Sequence, residues 1–172
     1  GIQKTAIGLL SWVGLAYSLK FFWAPILDRI NAPLFAKLGR RRGWMALAQI
    51  FVAAGLAAMA LCGVQHGLVR LGILALLVAF ASSTQDIVID AWRIESARDM
   101  DELGLLTSAY TFGYRAAMLA SEAFILFIAK RIGWPGSYLI WAAAMGIGLA
   151  ACFLAAEPLR ADETMSRKEN TE

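Results

Sequence analysis

The chain of 172 residues is 59% hydrophobic and 17% charged, with a mean hydropathy of +0.60; an average soluble domain is about 45–50% apolar and about 25% charged. That composition excludes an ordinary soluble enzyme. The net charge of +3 and pI near 9.1 do not argue for nucleic acid, because the basic residues lie between apolar runs, where membrane topology accounts for them.

The apolar residues gather into five runs, near residues 5–24, 44–63, 68–92, 104–129 and 136–156. Each has about the 20 residues that a helix needs to cross a hydrocarbon core about 30 Å thick. Helices are predicted throughout, since lipid offers no partner to unpaired backbone groups. The expected fold is an all-α membrane protein, with about five transmembrane helices over residues 1–156 and a polar tail over 157–172.

Alternate connectors differ sharply in charge. The first, 25–43, carries Arg29, Lys37, Arg40, Arg41 and Arg42; the third carries Arg93 and Arg98; the tail carries Arg160, Arg167 and Lys168. Those ten basic residues stand against three on the other side (Arg70, Lys130 and Arg131), or four with Lys4. The positive-inside rule then places the GRRRGW connector and the tail in the cytoplasm, with Gly1 and His66 outside. A bacterial-type chain that starts outside with neither a signal peptide nor an initiating Met is expected to continue upstream, so the sequence reads as a fragment. Cys62 and Cys152 lie in apolar runs without a Cys or His at ligand spacing, so inert thiols are expected and no metal site. His66 falls in a polar break and reads as a solvated loop residue.

The first connector, APILDRINAPLFAKLGRRRGW, sets an acidic-basic pair at one helix end before a Gly-led basic cluster that opens the next helix. Asp28 is placed to pair with an arginine across the two helix ends. A purely topogenic basic cluster fits the same residues. The third span ends in SSTQDIVIDAWR. At about 100° per residue, Ser82, Asp86, Asp90 and Arg93 share one stripe. Charge inside a span must face a bundle interior or a water-filled cavity. Asp86 and Asp90, one turn apart, resist ionising together, so one is expected to carry a proton. The alternative is permanent pairing, of Asp90 with Arg93 or the connector arginines and of Asp86 with a neighbouring helix.

The fourth span carries a matching stripe of Ser108, Thr111, Arg115 and Glu122. Arg115, 11 residues beyond Gly104, lies about 16 Å into the membrane at 1.5 Å per residue. A guanidinium at that depth needs a carboxylate, from a solute or from Asp86. Lys20, near the end of the first span, reads as a side chain snorkelling to the surface.

The connector resembles the loop between the second and third helices of the major facilitator superfamily, G-x-x-x-D-R-x-G-R-R. Ala24 stands in place of the motif's first Gly, and Ile30 to Leu38 are inserted before Gly39. The order GLLSWVGLAYSLKFFWAPILDR, GRRRGW, SSTQDIVIDAWR and FGYR is similar to AmpG-type muropeptide permeases, a branch of that superfamily. The resemblance runs along nearly the whole chain and departs from it at Glu122. It implies helices two to six of a larger permease, lacking the first helix and the C-terminal half. It further implies proton-coupled import of anhydromuropeptides across the bacterial inner membrane for cell-wall recycling. Its implied partners are substrate, protons and the lipid bilayer, with no cofactor and no nucleic acid. On this resemblance Asp86 and Asp90 couple protons, Arg115, Ser82, Gln85 and Thr111 contact substrate, and Asp28, Arg29, Arg40, Arg41, Arg42 and Arg93 form the cytoplasmic gate. Competing readings are a permease for another large anionic solute, such as an acyl-CoA or siderophore, and a structural or signalling membrane protein. A membrane-embedded enzyme lacks a Ser/His/Asp set or a metal cluster to support it.

Overall fold

A computed structural model describes residues 17–62 and 67–158, together with Gly8 and Gly14. Most of the predicted first span, the loop with His66 and the tail beyond Pro158 lie outside the described residues. The described elements are all helical: α1 (Ala24–Arg29), α2 (Arg40–Cys62), α3 (Leu68–Ser96) and α4 (Met100–Leu154), with 3-10 turns at Lys20–Phe22 and Ala36–Leu38. α2, α3 and α4 are each long and apolar enough to cross a membrane.

Two predicted boundaries change. The end of the first span is not a continuous helix: it tightens to a 3-10 turn at Lys20–Phe22, then restarts as α1 with Pro25 in its first turn, where a missing N–H costs nothing. The fourth and fifth spans, predicted as separate, are two helical arms of α4 that meet at a kink, the connection between them shortened to Gly133, with φ 77° and ψ 170°. A side chain at that φ would be strained, and glycine escapes the penalty; Pro135, two residues on, opens the second arm. The bilayer explains the fold-back. Unbroken, 55 residues would reach about 80 Å, more than twice a hydrocarbon core of about 30 Å. The contacts show the turn: Arg93 stacks on Tyr110 of the first arm with its guanidinium 4.6 Å from the ring centre, while neighbouring Trp92 donates to the Ala156 carbonyl just past the second arm, at 2.8 Å. Both ends of α4 therefore meet the same end of α3.

α2 occupies the middle, packing along α3 on one side and α4 on the other, whereas α3 and α4 touch little. Close approach depends on small residues. A Cβ on Gly55 would collide with Val78 of α3, and one on Gly148 would come within 2.8 Å of the Gln49 amide. Apolar packing is densest at the end carrying the arginines, where Leu27, Met45, Ala46, Val88 and Cys152 are buried against Trp23, Trp44 and Trp92. The first arm of α4, by contrast, exposes Leu105, Phe112, Tyr114, Leu119, Phe124, Leu126 and Phe127, a surface suited to lipid or to further helices.

Candidate functional site

Two polar clusters are built on α3, on opposite faces. Glu95 lies nine residues beyond Asp86, about 180° around the helix. It therefore turns toward α2, while Asp86, Asp90 and Arg93 turn away.

The first cluster forms a basic rim. Arg41, 3% exposed, donates from Nη1 to Asp28 Oδ1 at 2.7 Å and from Nε to Glu95 Oε2 at 3.0 Å, with Nη2 on Glu95 Oε1. This two-pronged contact matches the planar fork of a guanidinium to a carboxylate. Arg40 adds a 3.0 Å bond to Glu95 and another to the Asp28 carbonyl. Arg42 turns the other way and caps the end of α4, donating to the carbonyls of Cys152 at 2.9 Å and Phe153 at 2.6 Å. The start of α2 is capped in return: the Glu157 carboxylate accepts from the backbone N–H groups of Arg41 at 2.8 Å and Arg42 at 3.0 Å. Anions are favoured at such a helix N-terminus. Gly39 makes room for this carboxylate: its φ of 100° suits glycine alone, and a Cβ there would overlap Glu157.

The predicted gate residues divide accordingly. Asp28, Arg40 and Arg41 come together, and Arg42 adjoins them but bonds carbonyls. Arg29 is exposed and forms no ion pair among the described residues. Arg93 lies on the opposite face of α3, 3.0 Å from Asp90 and over Tyr110. Glu95 and Glu157 were missed by the sequence reading. Helical-face arithmetic could have found Glu95, since it lies opposite the aspartate stripe at the same membrane end as the arginines. Nothing local points to Glu157, which is 116 residues from Arg41.

The second cluster lies deeper. Ser82 accepts a 2.8 Å hydrogen bond from the Tyr17 hydroxyl. Asp86 lies within electrostatic reach of Lys20 and Asp90, and Tyr110 within reach of Asp86, Asp90 and Arg93. Lys20 is thus half-buried beside Asp86, where the sequence suggested snorkelling. Arg93 leaves Nε and Nη1 buried without an acceptor among the described residues. Gln85 is half-buried with no hydrogen bond among the described residues.

The stripe on α4 does not face the one on α3. Tyr110 meets Arg93, and Arg115 is about 140° around the helix from Tyr110, so Ser108, Thr111, Arg115 and Glu122 are exposed on the outside of the described bundle. Ser108 and Thr111 bond back to the carbonyls of Gly104 and Thr107, each at 2.8 Å. The pairing of Arg115 with Asp86 that depth alone allowed is absent among the described residues.

A further cavity, about 330 Å³ between α2 and α3, is lined by Trp44, Phe51, Leu77 and Phe80, with Thr84 as its polar group. It suits hydrocarbon rather than a charged solute.

Three helices long and apolar enough to cross a membrane, with few charges within them, define a multi-pass helical membrane protein. The Major Facilitator Superfamily profile matches residues 1–171, and the chain belongs to that family. It is 39% identical over 158 residues to the anhydromuropeptide permease of Escherichia coli (strain K12), covering 91% of this chain and 31% of that protein. It is also 42% identical over 153 residues to an uncharacterized protein of Haemophilus influenzae, covering 88% of this chain and 35% of the relative. The chain thus spans about a third of the length of these relatives.

Proposed function

We propose that the chain is part of a secondary active permease that imports anhydromuropeptides with protons across the bacterial inner membrane, supplying cell-wall recycling. The observation that carries this reading is the stripe of Ser82, Asp86, Asp90 and Arg93 inside an otherwise apolar helix, with Lys20 and Tyr110 drawn to it. Such charge inside a membrane is costly and marks substrate or proton pathways. The likeness to a protein named anhydromuropeptide permease supports the substrate class. In this reading Asp86 and Asp90 carry the proton. Arg115, with Ser82, Gln85 and Thr111, contacts substrate; its exposed guanidinium, without an ion pair among the described residues, suits a peptide carboxylate. The rim of Asp28, Arg40, Arg41 and Arg42 closes the cytoplasmic side, with Arg29 and Arg93 at its margins.

The test is uptake of labelled anhydromuropeptides by the full-length protein in cells deprived of their own permease. Restored uptake is expected, and Arg115→Lys is expected to weaken it, because an ammonium cannot reproduce the planar two-pronged contact. Absence of rescue by the wild type rejects the muropeptide assignment in favour of another large anion. Rescue with unchanged affinity in Arg115→Lys removes Arg115 from the substrate site. Topology is checked with single cysteines at Lys37 and His66 in a Cys-free parent. A membrane-impermeant thiol reagent applied to intact cells is expected to label the second, and labelling of the first alone inverts the orientation.

A further inference from the structure

Two hydrogen bonds tie residues 17–23 to α3. The Tyr17 hydroxyl bonds Ser82 at 2.8 Å; Trp23 donates to Thr84 Oγ1 at 3.2 Å and packs on Phe80 with ring centres 4.7 Å apart. Both segments run toward the basic rim, where Asp28 and Glu95 meet on Arg41, so they are parallel. Lys20, three residues beyond Tyr17, and Asp86, four residues beyond Ser82, each lie about one turn past the Tyr17–Ser82 bond toward the rim. The 3-10 turn at Lys20–Phe22 interrupts regular helix at this level, as broken helices do where they line a cavity.

The two charges are within electrostatic reach, yet neither makes a hydrogen bond or an ion pair among the described residues. The other groups facing Asp86 are Asp90, one turn on, and Tyr110 from α4. Asp90 is engaged by Arg93, which in turn lies on Tyr110. Arg93 thus already holds a carboxylate through Nη2, whereas Lys20 is a cation of this cluster with no carboxylate bonded to it among the described residues. One ammonium in a partly dry site balances one carboxylate; a second, ionised beside it, is repelled.

We propose that Lys20 is a carboxylate-binding residue of the transport site, facing ionised Asp86 when the site is empty and a carboxylate of the transported solute when Asp86 is protonated. The proposal rests on the permease reading above and deepens it. The balance is simple. A proton from water on the outer side forms an O–H bond on Asp86, and the solute carboxylate takes the vacated place opposite Lys20. After reorientation the solute leaves and the proton passes from Asp86 to water on the inner side. Each carboxylate thus crosses with one proton, and the pocket keeps the same net charge in both states. Coupling arises because Lys20 is shared, with no need for a second ion site.

The test measures binding of a labelled anhydromuramyl peptide to the detergent-purified full-length protein across pH, with folding of each variant checked by its melting curve. Wild type is expected to lose affinity as pH rises through the Asp86 titration, by up to about tenfold per unit for one linked proton. Asp86→Asn is expected to bind with the pH dependence flattened. Lys20→Gln is expected to bind at least about tenfold more weakly at low pH, and Lys20→Arg to recover much of that loss together with the pH slope. Wild-type affinity and slope in folded Lys20→Gln overturn the proposal while leaving the permease reading intact, and so does an undiminished slope in Asp86→Asn. Wild-type protein that fails to bind the peptide at any pH overturns the permease reading and this proposal with it.

Discussion

At the basic rim Arg40, Arg41 and Arg42 direct their guanidinium groups to carboxylates or helix-end carbonyls, whereas deeper in the bundle the half-buried Lys20 and Asp86 stand without an ion pair among the described residues. The same chain thus treats charge in two ways. Saturated charge fixes helix ends to one another; charge left open inside apolar surroundings is costly to keep and is explained by something that visits. The contrast predicts that substitutions at the rim act on stability, and substitutions in the interior act on transport.

The largest expected effect is on transport. Asp86→Asn in the full-length protein is expected to abolish proton-driven uptake while leaving measurable substrate binding, because the amide keeps the shape and loses the titrating group. Asp90→Asn should do less, since its partner Arg93 is already at hand. Uptake by Asp86→Asn that still collapses normally with an uncoupler would show that the proton travels elsewhere and that the interior charges are structural.

At the rim the order of effects follows burial. Arg41→Ala removes a guanidinium that is 3% exposed and leaves Glu95 with Arg40 alone, so a loss of about 3 kcal/mol is expected, the lower end for breaking a buried pair. Asp28→Ala should cost under about 1 kcal/mol, because the Asp28 side chain is 52% exposed and its attraction is screened by water. Thermal melting of the purified variants checks both. Equal losses would show that the exposed half of the rim carries as much as the dry half.

This ordering marks where sequence reading stopped. Helical class and membrane character were legible because hydropathy runs and lipid's refusal of unpaired backbone leave little choice. The rim was half legible. Asp28 and the arginines stand out as a motif, while Glu95, the drier partner, is camouflaged beside Arg93 and shows only when the helical face is counted. For Arg115 the rotation of its helix was not legible. Which face of α4 meets α3 depends on the Arg93–Tyr110 contact, a tertiary fact. The break between the fourth and fifth spans was legible from charge and Gly/Pro punctuation; that a single residue at positive φ, Gly133, makes it was not.

The smallest expected effect sharpens the comparison at its most remote contact. Glu157 reaches back across the end of α4 to accept two backbone N–H groups at the start of α2. Those groups belong to the first turn, which has no acceptor of its own within the helix. Glu157→Gln keeps one oxygen, turns a donor toward the other N–H and removes the negative charge from the helix N-terminus. Loss of a cap costs about 0.5–2 kcal/mol and loss of the dipole interaction about 0.3–1; with one acceptor retained, about 1 kcal/mol is expected. Glu157→Ala should lose more, and Gly39→Ala at least as much, since it both strains a backbone at φ 100° and pushes the carboxylate away. Melting curves of the three variants test this. If Glu157→Gln and Glu157→Ala melt with the wild type while Gly39→Ala falls, the strain at Gly39 is the whole effect, and α2 and α4 are joined at the rim by Arg42 alone.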